Sequence, residues 1–196
     1  MKYALALAGG GTRGAFQVGV WQALKELGIE ISAVCGTSIG AVNGAMFVSG
    51  KDGEELWKTI KAQDVADIKG DNMFSFSSLI SLVKQVYEGG VDASAFGEFL
   101  SGVLNEDDVR NSSIDYGLCT FRTDTKESKE LFIEDIPKGQ LVQFILASAA
   151  FPLFKPVNID GAEYTDGAMR NNLPVNMLID RGYDTIISVA VKGPGI

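Results

Sequence analysis

Tyr3-Ala4-Leu5-Ala6-Leu7-Ala8-Gly9-Gly10-Gly11-Thr12-Arg13-Gly14 runs from an apolar stretch straight into a glycine cluster. A short uncharged apolar run that ends on glycines reads as a buried strand, over residues 3 to 8, and is too short for the apolar core of a secretory signal. Behind the glycines the pattern predicts a helix over 14–27, with Phe16, Val20, Leu24 and Leu27 on one face and Gly28 as its stop, then a second strand over 31–35. Another helix should follow Ser38 through Ala41, Val42, Ala45 and Met46, whose small residues allow close approach to a sheet. Strand-helix-strand-helix in fifty residues predicts an α/β fold: a parallel sheet, helices on both faces and right-handed crossovers.

The rest of the chain continues this reading. Residues 51–111 are helical in character, with one stripe at Leu56, Trp57 and Ile60 and another at Leu79, Leu82, Val83 and Val86. Within them the uncharged stretch Asn72–Leu82 reads as a lid or a packed helix start. Strands are expected at 114–120 and 130–133, a helix at 140–147, a hairpin turning at Asp160-Gly161, a helix from about Val175 and a last strand at 185–191. One domain over 1–196 is expected, with 52–110 as a helical, lid-like insertion.

Composition narrows the chemistry. The 196 residues contain no histidine, which excludes Ser-His-Asp and Cys-His mechanisms and imidazole metal ligands. With 46% hydrophobic and 21% charged residues the chain is globular in composition. A net charge of −8 argues against nucleic acid and against anionic lipid attracted by charge. Cys35 and Cys119 are far apart and lack CxxC spacing, so neither a metal site nor a disulfide framework is suggested and a cytoplasmic setting is expected. The uncharged stretch Ile31–Gly50 has the length of a membrane span but is diluted by Ser, Thr, Asn and Gly, and is not read as one.

Two motifs carry chemistry. The loop Gly9, Gly10, Gly11, Thr12, Arg13, Gly14 turns backbone N–H groups toward a point beside a helix N-terminus, where a phosphate or a transient oxyanion is stabilised. Its Gly9-x-Gly11-x-x-Gly14 spacing also fits a dinucleotide loop, but that site wants an acidic residue at the end of the second strand, and Glu30 precedes the strand instead. The second motif, Gly36-Thr37-Ser38-Ile39-Gly40, is a G-x-S-x-G between strand and helix, which exposes Ser38 as a nucleophile; a plain helix cap is the competing reading. A serine hydroxyl needs a base, and without histidine the candidates are Asp, Glu, Lys or Cys. Of two Asp-Gly-Ala triplets, Asp160 belongs to the hairpin turn, whereas Asp166 ends a strand where active-site loops gather.

Taken in order, the G-G-G-x-R-G loop, the G-T-S-x-G serine, Ala147-Ser148-Ala149-Ala150-Phe151-Pro152 and Asp166-Gly167-Ala168 followed by Asn171-Asn172 resemble the patatin-like phospholipase family. That resemblance implies a three-layer α/β/α fold with a mainly parallel central sheet. It also implies a catalytic dyad of Ser38 and Asp166, with the Gly9–Gly14 loop as oxyanion hole. The implied activity is hydrolysis of acyl esters of phospholipids and other lipids, with no cofactor or metal and with peripheral membrane contact. Acyl transfer by the same dyad is a close variant, and a nucleotide-binding module using the glycine loop is the alternative from another class. Family members are usually longer, so the chain is expected to be short at its C-terminus.

Overall fold

A computed structural model describes residues 2–51, 94–150 and 155–191. Among the described residues seven strands form one sheet: β1 (Tyr3–Leu7), β2 (Ile31–Thr37), β3 (Asp115–Arg122), β4 (Glu127–Phe132), β5 (Val157–Ile159), β6 (Ala162–Asp166) and β7 (Thr185–Val189). Pairing is parallel for β1 with β2, β1 with β7 and β2 with β3. It is antiparallel for β3 with β4, β3 with β6 and β5 with β6. The sheet is thus mixed, with three parallel and three antiparallel pairings among the described strands, because β3–β4 and β5–β6 are joined by short turns that only antiparallel strands can share.

Strand alternation sends large side chains to one face and small ones to the other. Leu5, Leu7 and Val34 join the main core with residues of α1 (Ala15–Glu26), α2 (Ile39–Val48), α3 (Ser94–Val103), α4 (Glu106–Arg110) and α5 (Leu141–Ala149). Ala4, Ala6, Ala33, Cys35 and Cys119 form the second cluster, with Met177 and Leu178 of α6 (Val175–Asp180). The chain steps from β1 to β2 to β3 with α1 and α2 on one face, and α6, between β6 and β7, covers the other.

Residues Ile31–Gly50, long enough to span a bilayer, form β2 and the almost wholly buried α2. Among the described residues no helix is long and apolar enough to cross a membrane. The helical stripes expected at 56–60 and 79–86 and the Asn72–Leu82 stretch lie outside the described residues. Of the expected insertion, the described part packs into the main core through Leu100, Leu104 and Val109.

The face assigned to α1 needs correction. Its buried residues are Gln17, Val18, Trp21 and Leu24, whereas Phe16 is 65% and Leu27 72% exposed. The helix is rotated by about one residue, 100°, from the apolar stripe. Trp21 holds it there by stacking on Phe47, ring centroids 4.7 Å apart and planes 3° from parallel. Gly28 ends the helix as expected: at φ +66 it donates to the Lys25 carbonyl while Ile29 donates to that of Leu24, a Schellman close.

Candidate active site

Ser38 lies at the turn between β2 and α2 with φ 57 and ψ −126, a strained conformation for a residue with a side chain. Such geometry costs about 1–3 kcal/mol and persists only where the surroundings impose it. The surroundings here are closely packed backbones. A Cβ on Gly36 would lie 2.1 Å from the Gly40 carbonyl oxygen, and one on Gly40 would lie 2.3 Å from that of Leu7. Both elbow glycines are therefore required, because α2 starts in direct backbone contact with β1 and β2. The Ser38 side chain makes no capping hydrogen bond to α2, so it is not a plain helix cap.

The elbow is fastened from three sides. The Ser38 N–H donates to Ser148 Oγ at 2.9 Å, and Ser148 Oγ–H donates to the Cys119 carbonyl at 2.7 Å. Thr37 Oγ1 donates to the Asn171 carbonyl at 2.9 Å. Ile39, the residue after the serine, packs against Gly14, where a Cβ would lie 2.4 Å from Ile39 Cγ1.

The glycine loop lies directly against the serine. A Cβ on Gly9 would lie 2.9 Å from Ser38 Cβ and 2.7 Å from Asn172 Oδ1. Gly9 N–H donates to the Asn172 carbonyl at 3.1 Å, and Arg13 N–H closes a turn onto the Gly10 carbonyl at 3.3 Å. Gly10 packs beneath Val191, Gly11 reaches φ +58 at the exposed apex, and the Arg13 side chain is exposed. Gly14, buried again, hands the chain to α1.

Asp166 reaches the same place by a different route. Residues 117–119 of β3 pair with β4 as well as with β2, and residues 120–122 pair with β4 as well as with β6. Hence β2 and β6 share the β3 edge opposite β4, end to end. Their carboxyl ends meet: Thr37 is registered with Cys119 and Asp166 with Thr120. Asp166 is 1% exposed, its N–H donates to the Ala150 carbonyl at 3.0 Å, and its Oδ1 accepts from Ala168 N–H at 2.8 Å, which fixes the carboxylate rotamer. A Cβ on Gly167 would lie 2.2 Å from the Cys119 carbonyl oxygen, so the turn out of β6 tolerates no side chain.

The competing assignments fall elsewhere. Asp160 is exposed at the β5–β6 turn with φ 50 and accepts from Gln140 Nε2 at 2.9 Å. Glu30 is exposed just before β2, whose first residue Ile31 is registered with Tyr3, and so lies at the opposite end of the strands from the glycine loop. Both cysteines are buried; loss of hydration pushes the Cys119 thiol up to about 11 and Cys35 higher still, so neither ionises near neutral pH.

Three polar residues without a role in the motif reading support this region. Ser148 is visible in the Ala-Ser-Ala-Ala-Phe-Pro segment, but nothing in that segment says that its hydroxyl holds the elbow. Gln17 and Asn43, both 0% exposed, bond to each other and to the chain flanking the glycine loop. Their signal is a carboxamide at a position where the helix otherwise buries apolar or small side chains.

Fold and site together define a three-layer α/β protein of the serine-elbow class, in which a glycine loop and a buried aspartate are brought to the strand ends. The family model for Patatin-like phospholipase matches residues 5–179. The chain belongs to the patatin-like phospholipase family. It is 28% identical over 191 residues to patatin-like phospholipase domain-containing protein 7 of Rattus norvegicus, which covers 96% of this chain and 13% of that protein. It is 31% identical over 188 residues to lysophospholipase nte1 of Aspergillus terreus, covering 95% of this chain and 12% of that one. The chain thus spans only 12–13% of the length of these relatives. Among solved structures it is similar in fold to VipD from Legionella pneumophila, with a TM-score of 0.52, 17% identity and coverage of 88% of this chain and 47% of that one.

Proposed function

We propose that this chain, as a single domain, is a serine lipid acyl hydrolase that cleaves carboxylic esters of phospholipids or related lipids through an acyl-enzyme on Ser38. The observation that carries the reading is the meeting of β2 and β6 on one edge of β3, which brings the strained Ser38 elbow and the buried Asp166 together beside the glycine loop. Asp166 accepts the Ser38 proton as Oγ attacks the ester carbonyl, and the alcohol leaves with that proton. Water then attacks the acyl-enzyme with Asp166 as base again. An ordinary aspartate, pKa about 3.9, is a weak base for a hydroxyl, so alignment and oxyanion stabilisation carry much of the rate.

The hydrogen bonds already made by Gly9 and Arg13 N–H point to the N–H groups of Gly10 and Gly11 as the oxyanion donors. One such donor is worth about 2.7–4 kcal/mol of barrier. Phe16, 65% exposed, and Met169, 54% exposed, belong to the segments leaving the glycine loop and Asp166. They support apolar, peripheral contact with a lipid surface, which suits a chain of net charge −8 better than electrostatic attraction.

A fluorophosphonate probe tests the nucleophile: wild type is labelled at Ser38 and Ser38→Ala is not. Absence of labelling in folded wild-type protein overturns the reading. Asp166→Asn should abolish turnover of a p-nitrophenyl ester while Asp160→Asn keeps most of it, and the reverse pattern would reassign the base.

A further inference from the structure

We propose that Gln17 and Asn43 form a positioning clamp that sets the geometry of the Gly9–Gly14 loop relative to Ser38; the inference rests on the acyl-hydrolase reading above. Both carboxamides are fully buried, Gln17 on α1 and Asn43 on α2. Burying an amide is unfavourable unless its hydrogen bonds are replaced, and an aliphatic residue would fill either place without that cost. Where their bonds go therefore carries information. Gln17 Nε2 donates to the Ala8 carbonyl at 2.7 Å, the residue before the loop. Asn43 Nδ2 donates to the Gly14 carbonyl at 3.0 Å, the last residue of the loop, and to Gln17 Oε1 at 2.8 Å.

The pair thus grips both ends of the loop and is tied across the α1–α2 interface. Asn43 stands five residues beyond Ser38 on the helix that the serine begins, so loop and nucleophile share one rigid frame. A loop of glycines has wide conformational freedom, whereas oxyanion donors must lie about 2.7–3.1 Å from the developing charge. Pinning Ala8 and Gly14 reconciles the two requirements. It also keeps Gly14 bare, because a Cβ there would lie 3.2 Å from Asn43 Nδ2 and 2.4 Å from Ile39 Cγ1.

The test uses Gln17→Met and Asn43→Ala, with kcat and KM for a p-nitrophenyl ester measured at temperatures where circular dichroism shows each variant folded. Each should lower kcat about ten- to a hundredfold, the scale of small misplacements at a reacting centre, and leave KM within about twofold. Fluorophosphonate labelling at Ser38 should slow in step but still reach completion. The double variant should lose no more than the worse single one, because the two side chains form one device. Either folded variant with kcat within about twofold of wild type overturns the clamp, as does a change confined to KM. Loss of fold in both variants overturns it too, in favour of a role in stability alone. If wild type itself is not labelled at Ser38, the hydrolase reading fails first and the clamp falls with it; labelled wild type with unaffected variants sinks the clamp only.

Discussion

Replacing Ser148 with alanine is the sharpest probe of how the elbow is held. The hydroxyl is fully buried and works in both directions, accepting from Ser38 N–H at 2.9 Å and donating to the Cys119 carbonyl at 2.7 Å. Ser148→Ala removes one oxygen, opens almost no cavity and leaves two backbone groups without that partner. An orphaned buried group costs about 1–3 kcal/mol, so the pair amounts to about 2–6 kcal/mol. For a chain of this size each kcal/mol lowers Tm by about 2–4 °C, which sets a floor of about 4 °C on the expected drop. Activity should fall further than stability implies, because the bond from Ser38 N–H helps to hold a conformation that is itself about 1–3 kcal/mol uphill. Thermal unfolding and ester kinetics on the folded protein measure the two effects separately. A Tm within 1 °C of wild type, or kcat unchanged at full folding, would refute the assignment of Ser148 as the strut of the elbow.

Three further outcomes are expected. Gly9→Ala should cut kcat about a hundredfold, because its Cβ would lie 2.9 Å from Ser38 Cβ and displace the proposed nucleophile. Gly19→Ala, exposed on α1 with open space around it, is the matched control; it should add about 0.5–1 kcal/mol of stability and leave kinetics untouched. Stability should decline as pH rises from about 9 toward 11, since the unfolded Cys119 thiol ionises at 9.0 whereas the folded one keeps its proton to about 11. The sign follows from linkage: over that interval the native state binds the extra proton, so raising pH favours unfolding. Denaturant titrations across that range should show a shallower decline for Cys119→Ala, and equal slopes would show that the thiol does not contribute.

Much of the architecture was legible because local signals agreed with one another. The apolar run before Gly9, Gly28 after α1, the small residues of α2 and the Asp160-Gly161 turn each marked an element that the structure contains. The orientation of α1 was not legible. Phe16 and Leu27 look like core residues by hydropathy, yet Gln17 takes the buried position because its amide has carbonyl and amide partners that exist only in the folded chain.

The amino-acid sequence by itself determined the menu of chemistry. A chain without histidine, with G-T-S-I-G at 36–40 and an Asp-Gly-Ala at 166–168, leaves few candidate bases for its serine. Local pattern set Asp160 in a turn and Asp166 at a strand end, but that Asp166 lies at the strand end next to the Ser38 turn was decided by tertiary structure. Asp160 and Asp166 stand in the same kind of triplet six positions apart, and nothing local to either places it near residue 38. The choice follows from strand register: β2 leaves the β3 edge at Cys119, β6 takes it up at Thr120, and the two carboxyl ends are forced together. Hydrogen-bond register between strands distant in sequence is a global property of the sheet, which is why it appears only once the chain is folded.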